Sequence, residues 1–231
     1  MSAKKKQTAP QIRRRANQII KQSGILESAY FKDLESGQMS LAQFRKTQEQ
    51  FYYAVLFFAR PMAALVARMP NPRTRLDILH NVVEEHGDFD SREFHETTFK
   101  RFLTSIGTKR NTIGKAPLWP EVRAFNSVLA TAALHDEVET GISCLGIIEY
   151  AFADISATIG RAVVENGWVT QDDLVHYKLH AAIDKRHAEE FFVIVEPLWR
   201  HTKKRYYIDQ GLQLGCYIFD RMYRDFHARV N

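Results

Sequence analysis

At 231 residues and 45% hydrophobic composition the chain can bury one sizeable core, which excludes a wholly disordered protein. The formal charge of +5 does not make it a nucleic-acid binder, because Lys4, Lys5, Lys6, Arg13, Arg14 and Arg15 concentrate six positive charges at one end and leave the body near neutral. Only two cysteines, Cys144 and Cys216, occur, both in apolar surroundings, which excludes a disulfide framework and fits reduced thiols in the cytoplasm.

The basic start is not followed by an apolar signal segment, and residues 1–10 read as a flexible tail ahead of a single helical domain over 11–231. From Gln11 to about Glu35 the apolar residues give irregular helical faces, split near Gly24. Ser40 and Gln43 form a capping-box pattern that opens a long aromatic helix carrying Phe44, Phe51, Tyr52, Tyr53, Phe57 and Phe58. Its most lipid-like stretch, Phe51 to Ala67, is interrupted by Arg60 and Pro61, so it reads as buried protein helix and no membrane partner is expected. Asn71-Pro72 starts a helix that runs to Glu84-Glu85-His86, where Gly87 marks a break, and a further segment carries His95, Phe99 and Phe102 to Gly107. A polar connection over Gly107 to Pro120 leads to helices at Val122–Glu139 and Ile142–Val164. Thr170 to Asp173 starts the next one, Pro197 bends or ends it, and Ile208 to Phe226 closes the chain. Without a sustained alternating strand or a Gly-rich phosphate loop, the expected class is all-α with roughly seven helices.

Within the penultimate helix, His180, Asp184 and His187 fall four and three residues apart and therefore share one stripe. Such a stripe is either an ordinary salt-bridged face or half of a metal site. Glu149 favours the second reading, since it stands among Gly146, Ile147, Ile148, Tyr150, Ala151 and Phe152, where a carboxylate is costly to bury unless neutralised, paired or metal-bound. Glu85 and His95 flank the Gly87 break, and a bend there can turn both inward. Three carboxylates and three imidazoles suit iron or manganese, two of which can share bridging carboxylates; zinc fits the same donors. Iron permits oxygen activation, whereas zinc points to Lewis-acid hydrolysis.

Three motifs together carry a family resemblance: Asn81-Val-Val-Glu84-Glu85-His-Gly87 followed by His95, Leu145-Gly-Ile-Ile-Glu149, and His180-x3-Asp184-x2-His187-Ala-Glu-Glu190. From about Ser28 onward the chain resembles the haem-oxygenase-like diiron oxidases, near the chlamydial protein associating with death domains (CADD) in the TenA and PqqC superfamily. The resemblance implies a seven-helix bundle holding two iron ions, with manganese or a mixed pair as alternatives. Glu85, Glu149 and Asp184 would be the catalytic carboxylate ligands, and His95, His180 and His187 the imidazole ligands. O2 would be co-substrate, an external reductant would supply electrons, and the substrate would be a small molecule, an amino acid or carboxylic acid among the candidates. A homodimer is a further expectation, as is common in related folds.

The resemblance also sharpens a difference. The chlamydial protein resembles an enzyme that makes p-aminobenzoate from one of its own tyrosines, yet the tyrosine expected before Glu149 is Ile148, a lysine ten residues on is Ile159, and a tyrosine four before His180 is His176. An external substrate is therefore expected, in a pocket drawn from Phe51, Tyr52, Val55 and Phe58, with Arg60, Arg92 or His176 as candidate carboxylate binders. The other readings are a self-sacrificing p-aminobenzoate former, a PqqC-like oxidase without a metal, a TenA-like hydrolase using Cys144, and a non-enzymatic helical interaction module.

Overall fold

The structure, a computed structural model, describes residues 8–231. The Lys4–Lys6 run, and with it most of the tail expected over residues 1–10, lies outside the described residues. These fold into nine α-helices: α1 (Pro10–Ser23), α2 (Ala29–Glu35), α3 (Leu41–Arg68), α4 (Pro72–Glu85), α5 (His95–Ser105), α6 (Pro120–Leu134), α7 (Val138–Glu165), α8 (Val175–Val195) and α9 (Thr202–Val230). The all-α class stands, but the expected count of seven is corrected to nine among the described residues.

Local chemistry explains the count. Gly24 takes a left-handed conformation (φ 63°) and its N–H closes α1 onto the Ile20 carbonyl, so the N-terminal segment becomes two helices. Ser40 and Gln43 cap α3 reciprocally, and the Asn71 side chain accepts from Arg73 N–H ahead of Pro72 in α4. α3 runs through Pro61 without ending. At Gly87 the chain turns sharply: Gly87, Asp88 and Phe89 all have positive φ, and a Cβ on Gly87 would lie 2.5 Å from the Glu93 carbonyl carbon. That turn is what separates α4 from α5 and puts Glu85 and His95 on two sides of one corner.

The centre of the bundle is α7, buried on nearly every side and packed mainly on α8 and α9. Both α3 and α7 are long and apolar enough to cross a membrane, and 78% of the most apolar window of α7 is covered by the rest of this bundle. Small residues let α7 and α9 approach closely. A Cβ on Gly211 would stand 2.3 Å from the Thr140 carbonyl oxygen, and one on Gly215 would stand 2.4 Å from that of Cys144. Backbone cannot yield as a flexible side chain does, so Gly211→Ala and Gly215→Ala are each expected to destabilise the protein by about 1–3 kcal/mol. Thermal melts of the two variants measure this, and unchanged melting temperatures contradict it.

The first helix is tied to the bundle by charge. Ala9 N–H and the Arg13 guanidinium both donate to Glu189, and Arg15 pairs with Asp209 at 2.5 Å. Two of the six clustered basic residues are thus engaged on α8 and α9.

Candidate metal centre

Four helices deliver the six candidate ligands to one place. Glu85 ends α4, His95 begins α5, Glu149 lies midway along α7, and His180, Asp184 and His187 form the stripe on α8. All six are buried. Glu85 Oε1 and His95 Nδ1 are 2.8 Å apart, His180 Nδ1 donates to Asp184 at 2.8 Å, and the His95 and His180 ring centres are separated by 4.4 Å. His187 Nδ1 lies 3.8 Å from Asp184 Oδ1 and 3.9 Å from Glu149 Oε2.

The hydrogen bonds decide which atoms remain for a cation. His187 Nε2–H donates to Glu84 Oε2 at 3.0 Å, leaving Nδ1 as the lone-pair nitrogen turned toward the carboxylates. In the same way Asp184 engages His180 Nδ1 and leaves Nε2 free. His187 Nδ1, His180 Nε2 and Glu149 Oε1 are buried without a hydrogen-bond partner. Unsatisfied polar atoms in a protein core are costly and a metal ion supplies the partner they lack, so the donor set fits a metal centre.

Two groups among the described residues bring three ligand atoms within 4.8 Å of one another: Glu85, Glu149 and His187 in the core, and His80, Glu84 and Glu190 at its edge. In the outer group a cation is already present, because the Arg186 guanidinium donates to Glu84 at 2.5 Å and to Glu190 at 3.1 Å. Glu84 thus joins the two groups, holding Arg186 by one oxygen and His187 by the other. Sequence reasoning quoted Glu84 within a motif but gave it no role. The available signal was its adjacency to Glu85: neighbours lie about 100° apart on a helix, so a carboxylate next to an inward ligand can reach the adjoining helix.

Charge crowding shifts the ionisation of these groups. Burial, reinforced by Asp184 and Glu85, pushes Glu149 well above the usual carboxylate range. Burial pushes Asp184 up as well, with His187 opposing and Glu85 adding to it. Glu85 moves the other way, since His95 outweighs the effect of burial, and burial takes His180 down to about 3. A cation must therefore compete with protons for Glu149 and Asp184, the two carboxyls that burial pushes toward the acid form. Affinity for zinc(II) or iron(II) is expected to rise with pH until both carboxyls ionise, with protons passed to the buffer. Calorimetric titrations in buffers of different ionisation enthalpy report the proton count; equal enthalpies and a flat pH profile would contradict it.

Beside the candidate ligands is a narrow cavity of about 40 Å³. Its walls are Phe51, Ala54, Val55, Phe58, Phe125, Ile148, Phe152 and Phe219, and its polar lining is Glu85, His95, Glu149, His180 and His176. Of the expected pocket residues, Phe51, Val55, Phe58 and His176 line it. Tyr52 does not: Phe51 takes the inward position, and one residue further round α3 Tyr52 donates its hydroxyl to Glu96 and lies under Gly114. The expected cationic binders are also elsewhere, Arg60 exposed against Phe57 and Arg92 exposed in a pair with Asp90. Cys144 is fully buried with its thiol pushed up to about 12 by burial, and it does not line the cavity.

Comparisons with known proteins agree with this geometry. Residues 45–215 match a family described as iron-containing redox enzymes. The 4-aminobenzoate synthase of Nitrosomonas europaea is 21% identical over 215 residues, covering 88% of this chain and 86% of that protein, and the 4-aminobenzoate synthase of Chlamydia muridarum is 20% identical, covering 79% and 76%. Among solved structures, a CADD-like protein of unknown function from Nostoc punctiforme superposes with a TM-score of 0.79 at 13% identity, covering 96% of this chain and 97% of that one. A TenA homologue from Pseudomonas syringae gives 0.77 at 13% identity, covering 96% and 94%, and a domain with a haem-oxygenase-like fold from Shewanella denitrificans gives 0.72 at 16%, covering 95% and 90%.

Proposed function

Because this chain belongs to the family of iron-containing redox enzymes, matched over residues 45–215, we propose that it is a two-iron oxidase acting on a small, mainly apolar external substrate. The protein is a non-haem, iron-dependent oxidoreductase, and its buried carboxylate and imidazole cluster is the observation that carries the reading. Glu85, His95, Glu149, His180, Asp184 and His187 would hold the metal. Iron held there would supply redox chemistry toward O2, with an external reductant as the source of electrons.

The rest of the chemistry belongs to the chain's own groups. Asp184 orients the His180 ring through Nδ1–H, and Glu84 orients His187 through Nε2–H, each fixing the nitrogen presented inward. Burial raises the Glu84 carboxyl, but the hydrogen bonds and charges of Arg186 and His187 together outweigh it and hold the carboxyl below its usual range. The phenylalanine walls exclude water from the reacting face and bind the apolar part of the substrate.

Among the cavity-lining residues there is no tyrosine. Ile148 occupies the wall beside Glu149, and Ile159 is buried further along α7. This favours an external substrate over the self-sacrificing route to p-aminobenzoate, even though the curated relatives are named 4-aminobenzoate synthases. A hydrolase reading lacks its nucleophile, since the Cys144 thiol is both sealed off and hard to ionise. The cytoplasm is the proposed location, in keeping with two free cysteines.

Anaerobic reconstitution with iron(II), followed by rapid mixing with O2, tests the reading. Two irons per chain and an O2-dependent absorbance change are expected. Less than one iron per chain, or oxidation no faster than that of free iron(II), would sink it.

A further inference from the structure

His176 is the one polar side chain lining the cavity that is not among the six ligands. It is fully buried, one turn before His180 on α8, with its ring packed 4.3 Å from that of His180 and 4.7 Å from that of Phe99. Its only hydrogen-bond partner is on α5: Nδ1 lies 3.1 Å from the Thr98 hydroxyl. That hydroxyl has a single proton, and it donates it to the His95 carbonyl oxygen at 3.0 Å. Toward His176 it must therefore accept. The imidazole has no carboxylate partner to support a charge, so the neutral ring carries its proton on Nδ1 and leaves Nε2 as a bare acceptor. Nε2 is buried and has no partner in the protein.

Building on the oxidase reading above, we propose that His176 Nε2 is the recognition point for a substrate N–H or O–H, so that this site takes a mainly apolar molecule carrying one hydrogen-bond donor next to the metal. The walls reward apolar surface without discriminating shape finely, whereas a buried acceptor left unpaired rejects any ligand that brings no donor. A wholly hydrocarbon ligand fills the cavity and leaves Nε2 unsatisfied. An aliphatic or aromatic amine or alcohol fills it and pays no such penalty. His176 is thus a specificity-determining residue, held in the required tautomer by Thr98, which acts through it as a positioning residue.

Phenol and toluene have nearly the same shape and differ in the donor, which makes them suitable probes for calorimetric or NMR titration of the zinc-loaded and metal-free protein. Wild type is expected to bind phenol about tenfold more tightly than toluene. In His176→Phe that ratio should collapse toward one, with toluene binding retained. Thr98→Val should lower the ratio and Thr98→Ser should keep it, a pair that remains informative if the His176 variant folds poorly. Nitrogen-15 spectra of the imidazole should show Nδ1 protonated and Nε2 bare in wild type. A ratio unchanged in both His176→Phe and Thr98→Val, or a proton found on Nε2, overturns the proposal. So does loss of iron in His176→Phe as complete as in a parallel His180→Ala control, which would make His176 a ligand. Iron stoichiometry and O2 reactivity are measured separately, so an intact two-iron site without donor preference refutes this inference alone, whereas failure to bind iron refutes the oxidase reading and leaves the donor preference measurable in the metal-free protein.

Discussion

Glu149→Met is expected to raise the melting temperature of the metal-free protein while abolishing its full iron complement. Glu149 is nearly inaccessible, its Oε1 has no hydrogen-bond partner, and Asp184 and Glu85 crowd it with like charge. A buried polar atom without a partner costs about 1–3 kcal/mol, and an unbranched apolar side chain of similar length removes that cost. For a chain of this size the gain corresponds to roughly 2–4 °C per kcal/mol. With iron(II) present the order reverses, because wild type gains the binding free energy and the variant has lost a ligand. Paired melts with and without iron, alongside metal analysis, measure both signs. A variant less stable than wild type in the metal-free state would mean that Glu149 is satisfied without a metal.

Glu84→Gln should lower iron affinity by about 10–100-fold while leaving all six candidate ligands in place. The amide can still accept from His187 Nε2–H, but it no longer carries the charge that makes the imidazole a stronger ligand and that pairs with Arg186 at 2.5 Å. Arg186 then keeps only Glu190, at 3.1 Å. Competition with a chromophoric chelator gives the affinity, and Glu84→Asp tests whether reach or charge matters more. An affinity within twofold of wild type would show that His187 is oriented by packing alone.

The stripe on α8 is legible in sequence because helical spacing is local: His180, Asp184 and His187 face one way whatever surrounds them. Glu149 is legible because it interrupts the apolar run from Gly146 to Ala153 within α7. Glu85 and His95 are harder, since ten residues separate them and no single helical period relates them. Only the left-handed run at Gly87, Asp88 and Phe89 brings His95 Nδ1 within 2.8 Å of Glu85. Two further features depend on tertiary placement. Which of Phe51 and Tyr52 faces the cavity is set by the rotation of α3, and an aromatic run carries no record of it. Arg60 and Arg92 were reasonable candidates for holding a carboxylate, but one ends on an exposed face and the other closes on Asp90 two residues away. The helix count shows a related limit: the breaks at Gly24 and Gly87 are visible as glycines, whereas a whole-fold resemblance supplies only a nominal number of helices.

Gly215 lies one turn before Phe219, which forms part of the cavity wall, and its contact on α7 is Cys144, one turn before Ile148 on the facing wall. The absent side chain at 215 therefore works as a caliper: the closeness of two backbones there sets the width of the chamber one turn further along. Substitutions that enlarge residue 215 would open the jaws, and those that enlarge Ile148 or Phe219 would narrow the gap between them. The width of the cavity is thus set in part from a position that does not line it.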